Sequence, residues 1–176
     1  ATIRRQRQMC IRDSPYWAGA MTPYWDGQAR GAFVGLSGLH GKAHLYRAVL
    51  EGLALEQRLI INGIEATTGQ HISEIRALGG GSYSRVWCQI LSDVLRRPIH
   101  LVNEQESTAL GAGMLAAAAG GVHADILSAA KNMSGVGHAY QADETKSNAY
   151  NDIFDTYKDI YPSLKQTFGK LAKIRT

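Results

Sequence analysis

An open α/β sheet is the fold class this sequence predicts, and three observations predict it. Residues 74–119 run strand, turn, helix, strand, helix with short connections, and two strands joined through a helix lie parallel, by a right-handed crossover. The turn between the first strand and its helix reads "GGGS", Gly79 to Ser82, and such strand-to-helix turns at the carboxyl ends of strands are where open α/β sheets bind ligands. The chain has 176 residues, 45% of them hydrophobic and only 19% charged, which is enough to bury a core in one domain with appendages.

The elements follow in chain order. "ATIRRQRQMCIRDS", residues 1–14, shows neither helical nor strand periodicity, no apolar core of a secretory signal and no Met at position 1. Its four arginines, Arg4, Arg5, Arg7 and Arg12, equal the net charge of +4. The segment reads as a basic leader, disordered or non-native, with a nucleic-acid arm as the minority reading. Elsewhere the charges are interspersed, without the basic stripe and interleaved aromatics of a nucleic-acid surface. Residues 16–40 are rich in Gly and Trp, with turn chemistry at Thr22-Pro23 and Asp26-Gly27 before a short strand from Ala32 to Leu36.

From Lys42 to about Thr67, Leu45, Val49, Leu53, Ile60 and Ile64 form one stripe while Arg47, Glu51, Arg58 and Glu65 mark another face. This pattern predicts a long amphipathic helix ending near Gly69. "EIRAL" is the next strand, and Val86, Ile90, Val94 and Trp87, Leu91, Leu95 make adjacent i, i+4 rows on the helix after the glycines. Pro98 stops that helix and "IHLV" is a second strand. Asn103 and Glu106 stand at capping-box spacing before a third helix through "STALGAGMLAAAA", closed by Gly120-Gly121. The small side chains of this third helix allow close approach to a sheet or another helix. Residues 122–144 read as less regular. A C-terminal helix over about 145–172 carries a stripe from Tyr150 to Leu171, which Pro162 should kink or divide.

Several motifs invite chemistry and fall short of it. "GLHGKAH" fails the phosphate-loop pattern because Leu36 stands where its first Gly belongs and Ala43 replaces Ser or Thr. His40 and His44 have i, i+4 spacing but no third ligand, so no metal site is assigned. Cys10 and Cys88 lie far apart without CxxC spacing, and Cys88 reads as a small buried hydrophobe. A reduced, cytoplasmic setting fits, and no apolar run reaches membrane-spanning length. The glycines carry more. Without Cβ atoms, Gly79, Gly80 and Gly81 permit positive φ and let a base, ribose or phosphate approach the backbone, with Ser82 and Ser84 able to cap the helix or bond the ligand. A tight turn without a ligand would use the same residues.

Four ordered blocks, "PYWAGAMTPYWDGQARGAFVGLSG", "HLYRAVLEGLALEQR", "LGGGSYSRVWCQILSDVLRRPI" and "ESTALGAGMLAAAAGG", resemble the C-terminal half of the FGGY carbohydrate kinases, in wording closest to xylulokinase-like members. The resemblance covers residues 15 to about 121 well and the C-terminal helix loosely. It implies an actin-like, ribonuclease-H-like ATPase domain over residues 15–176, partial at its N-terminus. It implies ATP and Mg²⁺ as donor and cofactor, a sugar or polyol acceptor with a pentulose favoured, and a missing N-terminal kinase domain as partner; a homodimer stays open. Gly79, Gly80, Gly81 and Ser84 match the adenine and ribose pocket, although glycerol-kinase-type members carry Asn where this chain has Ser84. The "PYWD" and "ARGAF" blocks match a segment near the interdomain cleft, where turn-stabilising and surface-pairing roles suit Asp26 and Arg30. The family's first phosphate loop, sugar contacts and base Asp all precede this chain's first residue, and neither Asp93 nor Asp125 matches the base motif. No catalytic residue is therefore assigned, the chain alone is expected to be inactive, and "RRQRQMCIRDS" suggests a truncated or chimeric frame. The alternatives are a non-catalytic nucleotide-binding module and a nucleic-acid-binding protein using the basic leader.

Overall fold

A computed structural model describes residues 11–103 and 106–174. Its strands are β1 (Arg12–Ser14), β2 (Ala32–Val34), β3 (Ile75–Ala77), β4 (Ile99–Val102) and β5 (Val136–Tyr140). Its α-helices are α1 (Lys42–Thr68), α2 (Arg85–Leu95), α3 (Ser107–Ala119), α4 (Ile126–Met133) and α5 (Glu144–Leu171), with a 3-10 turn at Gly80–Tyr83. Contacts divide the chain into two units. Of the described residues, one holds 11–72, 93–96 and 143–174, the other 73–92, 97–103 and 106–142. Among the described residues no helix is long and apolar enough to cross a membrane.

The first unit is built on buried acids. Helix α1 starts where His44 Nδ1 accepts the Gly41 N–H at 3.1 Å and ends at Gly69 in the left-handed conformation. Its buried face is not the aliphatic stripe the sequence suggests; it consists of Ala48, Glu51, Gly52, Ala54, Leu55 and Glu56. Small residues allow the approach, since a Cβ on Gly52 would meet the Asp13 carbonyl oxygen at 2.5 Å. The two carboxylates are satisfied by phenols and guanidinium groups. Tyr157 and Tyr16 hydroxyls donate to Glu56 at 2.7 and 3.0 Å, and Tyr150 donates to Glu51 at 2.9 Å beside Arg47 Nε at 2.7 Å. Burial is tolerable only because these partners exist.

Helix α5 supplies those tyrosines. Asp143 caps it by accepting the Lys146 N–H, and Tyr150, Phe154, Tyr157, Ile160, Tyr161 and Phe168 form its buried stripe. The helix runs unbroken through Pro162, so of the two expected outcomes, a kink or a division, the division does not occur. The proline lies on the exposed side, where water can satisfy the Lys158 carbonyl that loses its partner. Tyr161 also joins Tyr16, Ala20, Ala29 and Phe168 in an aromatic core, stacking on Tyr24 with ring centres 3.9 Å apart.

The leader expectation changes at its last residues. Ile11 to Ser14 are buried, and β1 pairs antiparallel with β2, Asp13 opposite Phe33. Arg12, expected in a solvated run, lies 3.6 Å from Glu51. The polar sequence Arg-Asp-Ser hides this strand from any reading by hydrophobic pattern. Residues 1–10, which hold Arg4, Arg5 and Arg7, lie outside the described residues.

In the second unit β3 and β4 are parallel, Ile75 opposite Ile99, as the crossover requires. Strand β5 adds antiparallel to β4, so the sheet is β3-β4-β5. The stretch 122–144, expected to be irregular, contains both α4 and β5. Asp125 starts α4 by accepting the Ser128 N–H at 2.6 Å. The third helix begins at Ser107 with Glu106 as its N-cap and no side-chain cap bond, not at an Asn103 capping box. Asn103 is used elsewhere: its N–H donates to the Gly135 carbonyl at 3.1 Å, and its carboxamide occupies the space that Cβ atoms on Gly135 and Gly137 would fill. On α3, Gly113 faces Met133 of α4, so the close approach expected of this small-residue helix is to another helix.

Asp13 sets a pH dependence. Neither of its carboxyl oxygens has a hydrogen-bond partner among the described residues, and burial pushes its pKa up from 3.8 to about 6. The folded chain therefore holds this proton more tightly than the unfolded chain. That stability is fully present below pH 3.8 and is lost as pH rises through about 6. Chemical denaturation should show the chain more stable at mildly acidic than at neutral pH, with Asp13 contributing about 1 kcal/mol between about pH 5 and about pH 7. Asp13→Asn should remove that share of the slope; an unchanged slope would exonerate this carboxyl.

Candidate nucleotide-binding turn

Strand β3 ends at Ala77, and the chain reaches α2 through Leu78, the glycines and Ser84. The three glycines are there for three different reasons. Gly79 has φ 80° and ψ −176°, a region essentially closed to any residue with a Cβ. Gly81 faces the Trp87 indole, whose Nε1 would lie 3.2 Å from an added Cβ. Around Gly80 nothing stands within 4 Å of where a Cβ would be, and both Gly80 and Gly81 are exposed. Neither backbone geometry nor packing against the chain accounts for the missing side chain at Gly80.

Hydrogen bonds hold the turn in shape. Ser82 Oγ donates to the Gly79 carbonyl at 2.7 Å, and the Ser82 and Ser84 N–H groups donate to the Gly79 and Gly81 carbonyls at 3.0 and 3.1 Å. Ser84 Oγ accepts the Trp87 N–H at 3.3 Å and so caps α2. Its hydroxyl proton remains available to a ligand while its oxygen serves the helix. Cys88 is fully buried, with its thiol pushed up by burial, as befits a core residue. The predicted set of Gly79, Gly80, Gly81 and Ser84 thus forms one continuous turn at the carboxyl end of a parallel pair, where first-turn N–H groups and the helix dipole favour an anionic ligand.

Other candidates prove structural. Asp26 accepts the Tyr161 hydroxyl and the Gln28 N–H, both at 2.8 Å, and these bonds hold its carboxyl below the usual range. Arg30 donates to the Gly27 and Ala29 carbonyls. His40 Nδ1 accepts the Ser37 N–H at 2.9 Å, and His44 caps α1, so both imidazoles are committed to local backbone. Asp93 accepts the Asp143 N–H, and Asp125 caps α4. Among the described residues no group of three or more His, Cys, Asp or Glu side chains is placed to hold a metal ion, and Mg²⁺ is given no ligand among them. Sequence reasoning missed a cavity in the first unit, of about 520 Å³, whose lining includes His44, Arg47, Glu51, Lys146 and Tyr150. Of its polar groups, Arg47, Glu51 and Tyr150 belong to the buried-acid network, His44 caps α1, and Lys146 lies 3.3 Å from Asp143.

Residues 6–120 match the C-terminal domain of the FGGY family of carbohydrate kinases. The chain belongs to this family. It is 33% identical over 92% of its length to the xylulose kinase of Staphylococcus epidermidis, of which it covers 32%. To the glycerol kinase of Aliivibrio fischeri strain MJ11 it is 40% identical over 61% of its length, covering 21% of that enzyme. The crystal structure of ligand-bound xylulose kinase from Lactobacillus acidophilus superposes with a TM-score of 0.84 at 29% identity, over 93% of this chain and 33% of that one. The FGGY chain described here therefore spans about a third of the length of the xylulose kinases it matches. Its α/β architecture is the actin-like, ribonuclease-H-like fold of these kinases, represented by its C-terminal part.

The three glycine environments predict different outcomes for one change. Gly79→Ala should lower stability by about 1–3 kcal/mol, because alanine must adopt a glycine-only conformation. Gly80→Ala should stay within about 0.5 kcal/mol of the parent. Urea unfolding of both variants checks the pair, and equal losses would contradict the assignment of separate roles.

Proposed function

We propose that the turn formed by Gly79, Gly80, Gly81 and Ser84 receives the adenine and ribose of ATP. On this reading the chain is the nucleotide-side part of a kinase that transfers the γ-phosphoryl group to a sugar or polyol hydroxyl. The observation that carries it is the open space over Gly80 beside an anion-favouring helix start. Backbone that a Cβ would screen is left bare at a place where the fold family binds ligands. Likeness to the Staphylococcus xylulose kinase supports a pentulose acceptor such as xylulose.

Phosphoryl transfer depends on positioning and on a carboxylate that takes the acceptor's proton. The described residues offer the nucleotide one backbone wall and a hydroxyl donor, while Asp93 and Asp125 are committed to backbone N–H groups. Proton removal and acceptor binding therefore belong to residues beyond this set, and the chain by itself holds ATP weakly without turning over. Of the leader's four arginines, Arg12 is buried beside Glu51 and so is not presented to a nucleic acid, while Arg4, Arg5 and Arg7 lie outside the described residues.

Calorimetric titration with ATP and Mg²⁺ should give a dissociation constant on the order of 1 mM or weaker, and no ADP should form with xylulose. Gly80→Val should abolish the residual binding while leaving the melting temperature unchanged. Binding that survives Gly80→Val would remove the turn from the site, and ADP formation by the pure chain would show that its catalytic content is underestimated.

A further inference from the structure

A second concavity opens beside the glycine turn but not on it. It measures about 590 Å³ and is lined by Ser82, Tyr83, Arg85, Leu101, His138 and Tyr140. Gly79, Gly80, Gly81 and Ser84 take no part in its wall. Ile99 pairs with Tyr140 and the ladder shifts register between His100 and Val102; Leu101 of β4 and His138 and Tyr140 of β5 all line the cavity. Tyr83 and Arg85 come from the 3-10 turn and the start of α2. The cavity therefore lies between the β4-β5 face and the beginning of that helix, within the second unit.

Its walls are held in place. The Ser92 hydroxyl reaches the carbonyls of Arg97 at 2.8 Å and Tyr140 at 2.9 Å, and Gln89 Nε2 donates to the Gln141 carbonyl at 2.9 Å. Cys88 Sγ donates to the Ser82 carbonyl at 3.4 Å. The rings of His138 and Tyr140 meet edge to face, with centres 4.7 Å apart, a favourable aromatic arrangement. A space bounded this way is present before any ligand arrives, which limits the ordering cost of binding.

The lining has a one-sided chemistry. Among the described residues it carries a guanidinium, an imidazole, two phenols, a serine hydroxyl and one leucine, and no carboxylate. Arg85 has no ion pair with any described residue, and Tyr83 is 71% exposed, so both present themselves to the cavity's mouth without a competing acid among the described residues. Donors in surplus over acceptors call for an anion, and flat aromatic walls call for a planar body. The donors come from two elements, the start of α2 and β5, and a tetrahedral phosphate can accept from several directions at once, whereas a planar carboxylate suits a single fork.

We infer that this cavity binds a small planar compound bearing a phosphate group, with Arg85 on the phosphate and Tyr83, His138 and Tyr140 around the ring, at a site separate from the glycine turn. The site needs no part of the nucleotide reading. It provides a second place on the same unit where a phosphorylated metabolite can be sensed.

The test uses the whole chain and titrates phenyl phosphate, benzoate, phenol and inorganic phosphate, followed by amide and aromatic NMR shifts. Phenyl phosphate should saturate below about 10 mM, shift Tyr83, His138 and Tyr140, and bind at least tenfold more tightly than phenol or inorganic phosphate. Arg85→Gln and His138→Gln, each verified by an unchanged melting temperature, should weaken it about tenfold and about threefold respectively, while Gly80→Val should leave it untouched. Absence of saturation, indifference to Arg85→Gln, equal binding of benzoate, or loss on Gly80→Val would each overturn the site as assigned. Gly80→Val separately reports on the ATP reading, so failure of one does not obscure the other.

Discussion

Parallel pairing of β3 with β4 is the constraint from which the candidate site follows. Two parallel neighbours cannot be joined by a hairpin, so the chain must leave the end of β3, cross one face of the sheet as α2 and return. The departure has to fit into the few residues between Ala77 and Arg85. A change of direction that sharp needs one residue beyond the reach of L side chains, and Gly79 is that residue. Once the bend is made, the first N–H groups of a helical turn point away from the strand end, and the space over Gly80 is the natural place for a ligand.

The first unit solves a different problem, that of a long helix whose buried face carries two acids. An unpaired buried carboxylate would cost more than the surrounding apolar contacts return. Phenols from α5 and the "PYW" segment meet this need at little conformational cost, because a tyrosine brings a large apolar ring and a donor together. Burial pushes the Glu56 carboxyl up, while the donors Tyr157 and Tyr16 pull it back. Tyr161 extends the same device to Asp26, which ties the conformation of the "PYWD" turn to α5. What the sequence presents as a stripe of aromatics is therefore both a core and a set of hydrogen-bond donors.

Legibility from sequence tracked how far each element depends on its own residues. Helix α2 and strands β3 and β4 were readable because hydrophobic period and punctuation by Gly79–Gly81 and Pro98 agree. On α1 the extent was readable but the buried face was not, since Glu51 and Glu56 look like solvent residues until tyrosines nearly a hundred positions away are placed beside them. Strand β1 was invisible because Arg12, Asp13 and Ser14 have no apolar member; its place is set by pairing with β2. Strand β5 is largely exposed and carries no alternation of apolar with polar residues, and α4 announces itself only through the Asp125 cap. The capping box at Asn103 failed because a side chain with two donors and an acceptor has other uses, here between Gly135 and Gly137. At the candidate site, the turn was legible from the run Gly79–Gly81 while its assignment to a nucleotide came from the family resemblance, whereas the His138 and Tyr140 wall required the β4-β5 pairing.

The character of the turn also bears on how the proposed nucleotide reading fits relatives named for different substrates. If the turn receives the nucleotide as proposed, it does so through missing side chains and backbone N–H groups, and it places no side chain on an acceptor. Discrimination among sugars rests on buried polar groups that match particular hydroxyls, because leaving one unpaired is what makes the wrong substrate costly. Ser84 is the single side chain of the proposed nucleotide set, and its oxygen is already engaged by Trp87. Specificity for the acceptor has to be sought among residues that line a cavity with donors and acceptors of both kinds, a property that the turn, by its construction, does not have.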